Sequence, residues 1–278
     1  MFYWSPVLIQ YEVVNFKIAA FYQFVELADY VEWAEKIRCF GAETGLKGTI
    51  ILAAEGMNGT VAAAPSVIDQ FLGLLKADPR FEQLEHKVSW NEEQPFPRLR
   101  VREKKEIVTF RQFDIDPTNP GTYVEPEKWN ELITGSDVIT VDTRNTYETK
   151  IGKFKGAIDP QTANFTEFAQ YVDENLDPAE HPKVAMYCTG GIRCEKATAF
   201  LKSKGFKDVY HLKGGILKYL EEIPKEKSQW EGECFVFDRR VAVDHDLQAS
   251  DWQICEKCNE PFKKGEVCSE CGSSEYVF

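Results

Sequence analysis

Residues 184–197 read Val184-Ala-Met-Tyr-Cys188-Thr-Gly-Gly-Ile-Arg193-Cys194-Glu-Lys-Ala197. A short apolar strand ends, a cysteine follows at once, two glycines permit a tight turn, and a helix begins. That order places the Cys188 sulfur over backbone N–H groups at a helix N-terminus, where an anion is favoured. The thiol pKa should therefore fall and a thiolate prevail at neutral pH. Gly190 and Gly191 let the backbone curl round the sulfur without a Cβ clash. Arg193 adds positive charge nearby or braces the loop, and Cys194 offers a second thiol in the first helical turn.

Outward from this loop the chain alternates strand and helix. A helix at Pro126–Ile133 precedes a strand at Val138–Asp142, and a second helix covers roughly Asn164–Glu174. The strand Lys183–Tyr187 leads into the loop and a helix to about Ser203. The strand Asp208–Leu212 is followed by Gly214-Gly215 and a helix at Ile216–Glu222. Repeated βα units imply a parallel sheet covered by helices. Upstream, Lys17–Val25, Gly48–Ala54, Thr60–Ala64, Leu84–Trp90 and Leu99–Thr109 have strand character. Helical spacing runs over Ala28–Phe40, and a second helix over Val67–Ala77 has Ser66 as its cap. The turn between the second and third strands is read as Glu55–Gly59. The order β-α-β-β-α-β suggests a ferredoxin-like sandwich. Turn formers around Asp116–Gly121 mark a linker. The reading is an α/β protein with a ferredoxin-like (acylphosphatase-like) α+β domain over 1–122, a second α/β domain over 123–228, and a Cys-rich tail over 229–278.

The chain has 278 residues, 43% hydrophobic and 28% charged, which is ordinary for a globular protein. No apolar run approaches the ~18 residues of a membrane span. The opening MFYWSPVLIQ lacks a basic region and a small-residue cleavage site, so a cytoplasmic location is expected, with no membrane partner. The net charge is −12, divided as −5 over 1–125, −1 over 126–228 and −6 over 229–278. Any nucleic-acid site must then be a local basic patch, and no DNA partner is expected.

Loop spacing separates two chemistries. Cysteine phosphatases use C-x5-R, a loop sized for a phosphoryl group, whereas Cys188 to Arg193 is C-x4-R, one residue tighter and suited to a sulfur-bearing cysteine. The loop resembles the active site of rhodaneses, in which the cysteine carries a persulfide. Asp142-Thr143-Arg144 is similar to the D-x-R element of that fold, and Gly214-Gly215-Ile216 to the turn before its last helix. EGMNGT at 55–60, KKEIV at 104–108, DTRN at 142–145, CTGGIRCEKA at 188–197 and GECFVFDRRVAVDH at 232–245 occur here in one order. Together they resemble the rhodanese-type tRNA uridine hydroxylases, the TrhO family. The resemblance implies oxygen-dependent conversion of the tRNA wobble uridine to 5-hydroxyuridine, with molecular oxygen as co-substrate and an unspecified electron donor. It implies Cys188 as the active residue, and Arg193 is placed with it as catalytic. A general sulfurtransferase and a non-enzymatic RNA-binding protein are the rival readings.

A tRNA anticodon-loop partner needs phosphate contacts. Arg98, Arg100 and Arg102 alternate with Leu99 and Val101, which puts three guanidiniums on one face of a strand. Lys150, Lys153 and Lys155 form a second patch. Arg98, Arg100, Arg102, Asp142, Arg144 and Lys153 are the expected substrate contacts, with Phe96, Tyr147 and Phe154 as candidates to stack on a base. The four histidines are scattered and lack the paired spacing of a non-haem iron site, although His211 and His245 could lie near the loop. In the tail, Cys255-x2-Cys258-x9-Cys268-x2-Cys271 has the spacing of a four-thiolate structural zinc site.

Overall fold

The computed structural model describes residues 15–277, so the opening decapeptide read for an export signal lies outside the described residues. The first unit is a five-stranded sheet formed by β1 (Phe16–Phe24), β2 (Lys47–Ala53), β3 (Gly56–Ala63), β4 (His86–Asn91) and β5 (Leu99–Glu103). It carries α1 (Tyr30–Thr44) and α2 (Pro65–Lys76). The strand order β4-β1-β3-β2, antiparallel throughout, is that of the ferredoxin-like sandwich, and β5 adds in parallel to the β2 edge. Period-two alternation sends Ala19, Phe21, Ile50, Leu52 and Val61 to the helix side. There they meet Trp33, Ile37, Phe71 and Leu75, spaced at helical intervals on α1 and α2.

Three local expectations change. The turn between β2 and β3 is Ala54-Glu55, and Gly56–Gly59 are already strand residues, paired with β1 and β2. The second helix starts at Pro65, whose fixed φ suits a first helical position, so Ser66 is inside the helix and caps nothing. The last strand ends at Glu103, and the chain then leaves the sheet. Glu106 turns inward and accepts amide hydrogen bonds from Phe110 (3.0 Å) and Arg111 (3.1 Å).

The second unit contains β6 (Thr122–Val124), α3 (Pro126–Ile133), β7 (Val138–Asp142), α4 (Thr146–Thr149), β8 (Gly152–Phe154), α5 (Phe168–Asn175), β9 (Lys183–Tyr187), α6 (Ile192–Ser203), β10 (Asp208–Leu212) and α7 (Gly215–Glu222). Its parallel sheet runs β6-β10-β9-β7, with a core on each face. Phe110, upstream of the expected boundary, stacks on Phe165 at 4.6 Å inside one of these cores. Beyond 228, β11 (Trp230–Gly232) pairs with β8, and β12 (Cys234–Phe235) pairs with β13 (Ala242–Val243). Trp230, Cys234 and Val236 join the other core, so the first part of the tail completes this unit. The end of the tail forms the hairpin of β14 (Trp252–Ile254) and β15 (Pro261–Lys263). Among the described residues, no helix is long and apolar enough to cross a membrane.

Two consecutive residues of α6 join the units. Glu195 accepts hydrogen bonds from Tyr22 (2.7 Å) on β1 and Tyr123 (2.8 Å) on β6. Lys196, only 2% exposed, donates to Glu55 (2.8 Å) in the β2–β3 turn and Glu106 (2.7 Å) beyond β5. Three of the sequence motifs therefore meet in one buried ion-pair cluster. Lys196→Ala would leave two acidic groups without their shared cation. We expect a loss of about 3 kcal/mol, since breaking a buried pair from one side strands the remaining charge. Calorimetric melting of wild type and variant measures this, and an unchanged melting temperature would refute it.

Candidate active site

The loop after β9 builds the candidate site. Cys188 is fully buried against the protein, and its Sγ accepts a hydrogen bond from Gly191 N–H at 3.1 Å. Gly191 has φ +103°, and a Cβ there would lie 2.8 Å from the Tyr22 hydroxyl of the other unit. Both reasons demand glycine. The first turn of α7 braces the loop from below: Ile216 N–H donates to Cys188 O (3.0 Å) and Leu217 N–H to Thr189 O (3.1 Å). That contact requires Gly215, where a Cβ would meet Cys188 O at 2.5 Å.

Burial by itself pushes the Cys188 thiol upward. The Cys194 thiol, the Arg193 guanidinium and the amides of Cys194 and Arg193 outweigh it and bring the pKa down to about 5. Burial and the neighbouring Cys188 sulfur hold Cys194 well above the usual thiol range, so the proton stays on Cys194. Thr143 Oγ1 lies 3.6 Å from Cys194 Sγ and donates to Tyr187 O at 3.0 Å, fixing that side of the loop.

Arg193 is held by a residue that sequence reading missed. Its two terminal nitrogens bind both oxygens of Glu148 at 2.6 Å each, and the pair is buried. Glu148 also accepts from the Asn145 amide (3.1 Å), closing a capping box on α4. The Asn145-x-x-Glu148 spacing is the signal that could have found it. Lys87 on β4 was also overlooked. It reaches across to donate to Gly190 O at 3.0 Å, while burial lowers its pKa against the pull of the Cys188 sulfur. Glu195 is the third such residue. Burial raises its carboxyl to about 7, against the two tyrosine hydroxyls that favour its ionised form.

A cavity of about 750 Å³ opens above Cys188. Its walls are the open face of the first sheet (Ala20, Tyr22, Thr49, Ile51), the Cys188–Arg193 loop, and the segment Val236–Arg240 from beyond β12. The volume falls in the range of pockets that enclose a nucleotide-sized ligand, about 300–1,000 Å³. Phe96 lines it and is 5% exposed.

Other expected contacts fall elsewhere. Asp142 and Arg144 are fully buried. Arg144 binds Asp142 Oδ2 (2.7 Å) and Gly152 O (2.6 Å), so this pair ties β7 to β8 and offers no atom to a substrate. Phe154 is also buried, edge-on to Tyr187 at 4.8 Å, and cannot stack on a base. Tyr147 packs on Phe235 at 5.1 Å. Lys150 is paired with Glu260 (3.0 Å) and Glu270 (2.8 Å) of the Cys-rich hairpin. Lys153 is exposed on β8 opposite Glu231, away from the cavity wall. Arg98, Arg100 and Arg102 are exposed, Arg100 and Arg102 on β5 and Arg98 just before it, so only two of the three expected guanidiniums lie on the strand. Arg100 and Arg102 pair in register with Thr49 and Ile51, placing the stripe one strand out from the cavity on the same sheet face. His211 is buried against Tyr123, with burial lowering its pKa to about 4. His245 lies outside the wall of the cavity.

In the tail, the sulfurs of Cys255, Cys258, Cys268 and Cys271 all lie within 4.8 Å of one another, with the Cys255–Cys271 and Cys258–Cys268 pairs at 3.5 and 3.4 Å. A tetrahedral zinc with ~2.3 Å bonds separates its sulfurs by about 3.8 Å, so these donors fit the ion. Four thiolates would fill the coordination shell of such an ion and leave no open position for a substrate.

Residues 16–107 match the UPF0176 acylphosphatase-like domain, and residues 125–222 match the rhodanese-like domain. Among solved structures, a protein of unknown function from Rhodopseudomonas palustris, described as a possible tyrosine phosphatase, is similar at 24% identity. The match covers 36% of this chain and 80% of that one, with a TM-score of 0.32. A rhodanese-like domain from Anabaena sp. is 18% identical over 41% and 80% of the two chains (TM-score 0.34). A rhodanese-related protein from Thermoplasma volcanium is 22% identical over 36% and 92% (TM-score 0.29).

Two outcomes follow from this geometry. A folded-state thiol pKa near 5 keeps Cys188 as thiolate above about pH 6, with reactivity lost as pH falls through 5. Arg193→Met removes the cation and leaves Glu148 unpaired, so the midpoint of the alkylation-rate profile should move upward. A wild-type midpoint near that of an ordinary thiol, ~8.5, would contradict the assignment. Purified protein should also carry one zinc per chain by plasma emission. Cys268→Ser should lose the metal and loosen the hairpin, whereas metal-free wild type with an intact hairpin would exclude the site.

Proposed function

Because the chain joins a UPF0176 domain to a rhodanese-like domain, the architecture of the TrhO/UPF0176 family, we propose that it is an oxygen-dependent tRNA hydroxylase acting on the wobble uridine. The observation that carries this reading is the position of the Cys188 thiolate. It lies at the floor of a cavity walled by both units and large enough for a nucleotide turned out of its stack. A free-standing sulfur carrier needs only the loop, whereas here the first sheet, Tyr22 and Lys87 are all set against it. The Arg98–Arg102 stripe lies one strand from the cavity, where phosphates of an anticodon loop would pass, so a local basic edge offsets the acidic total.

In this reaction one atom of molecular oxygen enters the C5–H bond of uracil. The other leaves as water, with two electrons and two protons supplied by an external reductant. Cys188 works as a thiolate, or as the persulfide formed when that thiolate attacks the outer sulfur of a sulfane-sulfur donor such as thiosulfate, whose S–S bond breaks and whose remainder leaves with the electron pair. Arg193, fixed by Glu148, holds that negative charge, and burial of Cys188 keeps bulk water from the reacting sulfur. The tight C-x4-R loop equally supports sulfane-sulfur transfer, and turnover of thiosulfate in the absence of tRNA is its distinguishing mark.

Nucleoside mass spectrometry of total tRNA from cells lacking the protein tests the reading. 5-Hydroxyuridine derivatives should disappear and return with wild type under oxygen, but not with Cys188→Ser. Full restoration by the serine variant would eliminate the thiol mechanism, and undiminished modification in cells with no redundant pathway would eliminate the hydroxylase assignment.

A further inference from the structure

The segment Gly232–His245 is one of the sequence motifs, yet neither the sulfur chemistry nor the metal hairpin accounts for it. In the structure it is a strap that crosses from the second unit to the first and closes one wall of the cavity. Asp238 and Arg240 form a buried pair at 2.6 Å, and Arg240 continues to Ser89 of β4 at 2.9 Å. Arg239 N–H donates to Pro95 O at 3.1 Å. Val241 is forced to φ +61°, a left-handed conformation that is unfavourable for a β-branched residue and persists only where surrounding contacts impose it.

This fixed, strained strap presents one apolar side chain outward. Phe237 is 61% exposed and lines the cavity. Its ring rests edge-on against buried Phe235 at 5.1 Å and lies 6.0 Å from the Arg193 guanidinium. The backbone that carries the ring is held by the strap, and the ring stands beside the residue that holds the Cys188 loop. We propose that Phe237 is the stacking platform for the unpaired base of a single-stranded RNA substrate. It would set the plane in which a pyrimidine enters the cavity over Cys188. Base–aromatic stacking needs an exposed π-face at a fixed place on the backbone, and Phe237 on the strap supplies one. The inference rests on the tRNA reading above and adds to it the residue that orients the base.

The test measures affinity for an anticodon stem-loop RNA with uridine at the wobble position, by fluorescence anisotropy of the labelled RNA. Phe237→Ala and Phe237→Leu should each bind about 10- to 100-fold more weakly, the range that loss of one base–aromatic stack produces. Phe237→Trp should bind about as tightly as wild type, and its indole fluorescence, taken against a wild-type baseline, should be quenched by the RNA. Circular dichroism melting confirms that each variant is folded. Affinity of the leucine variant within about twofold of wild type overturns the proposal, as does a wild type that binds no RNA. If Phe237 governs affinity but wild type hydroxylates nothing, the stacking role stands and the hydroxylase reading falls.

Discussion

A negatively charged sulfur held out of bulk water is the constraint around which this molecule is organised. Desolvation opposes the thiolate, so each feature of the loop has to stabilise a negative charge: the Gly191 amide, the first turn of α6, the Arg193 guanidinium and the Cys194 thiol. Arg193 is itself buried and would be costly alone, which is why Glu148 grips it with two short bonds. Glu148 in turn is oriented by the capping box of a helix only four residues long. The chain from sulfur to guanidinium to carboxylate to helix cap connects reactivity with local backbone structure.

The ion pairs between the units extend the same logic. Glu195 and Lys196 follow Cys194 directly on α6, and both point away from the rhodanese core toward the first sheet. The partners of Glu195 lie on strands and those of Lys196 in a turn and a loop, which is where a motif such as EGMNGT acquires its meaning. Glu55 occupies a two-residue turn, and the glycines after it allow β3 to lie close between its neighbours. Motifs far apart in the chain thus serve one junction, and that junction encloses the cavity.

Much of the fold could be read from the sequence because it rests on local periodicity. The strands at 138–142, 183–187 and 208–212 and the helix at 126–133 fall at the expected residues, since apolar runs bounded by turn formers leave few alternatives. The run at 99–109 misled, because its alternation continues after Glu103 while Glu106 is drawn away by Lys196, a partner 90 positions along the chain. The geometry of the Cys188 loop was legible for the same local reason as the strands. Glu148, Lys87 and Phe237 were not, because their importance comes from tertiary proximity that spacing does not encode. Asp142 and Arg144 show the converse: their charges suggested an exposed contact, but burial makes them a tie between strands. The zinc spacing was legible because both halves of a thiolate knuckle lie within four residues of each other.

The strap beyond β12 also bears on how the protein is made. The thiolate loop is complete only once the first turn of α7, which braces it from below, has been synthesised, and the wall formed by Val236–Arg240 is encoded later still. A chain emerging from the ribosome folds from its N-terminal end. It therefore passes through a stage in which the nucleophile is assembled while one side of its enclosure is missing. During that interval Cys188 is open to adventitious oxidants and electrophiles, and docking of the strap ends its exposure. Synthesis order thus places closure of the cavity after assembly of the Cys188 loop, and a nascent chain stalled before the strap is made would be the form most open to oxidation of that sulfur.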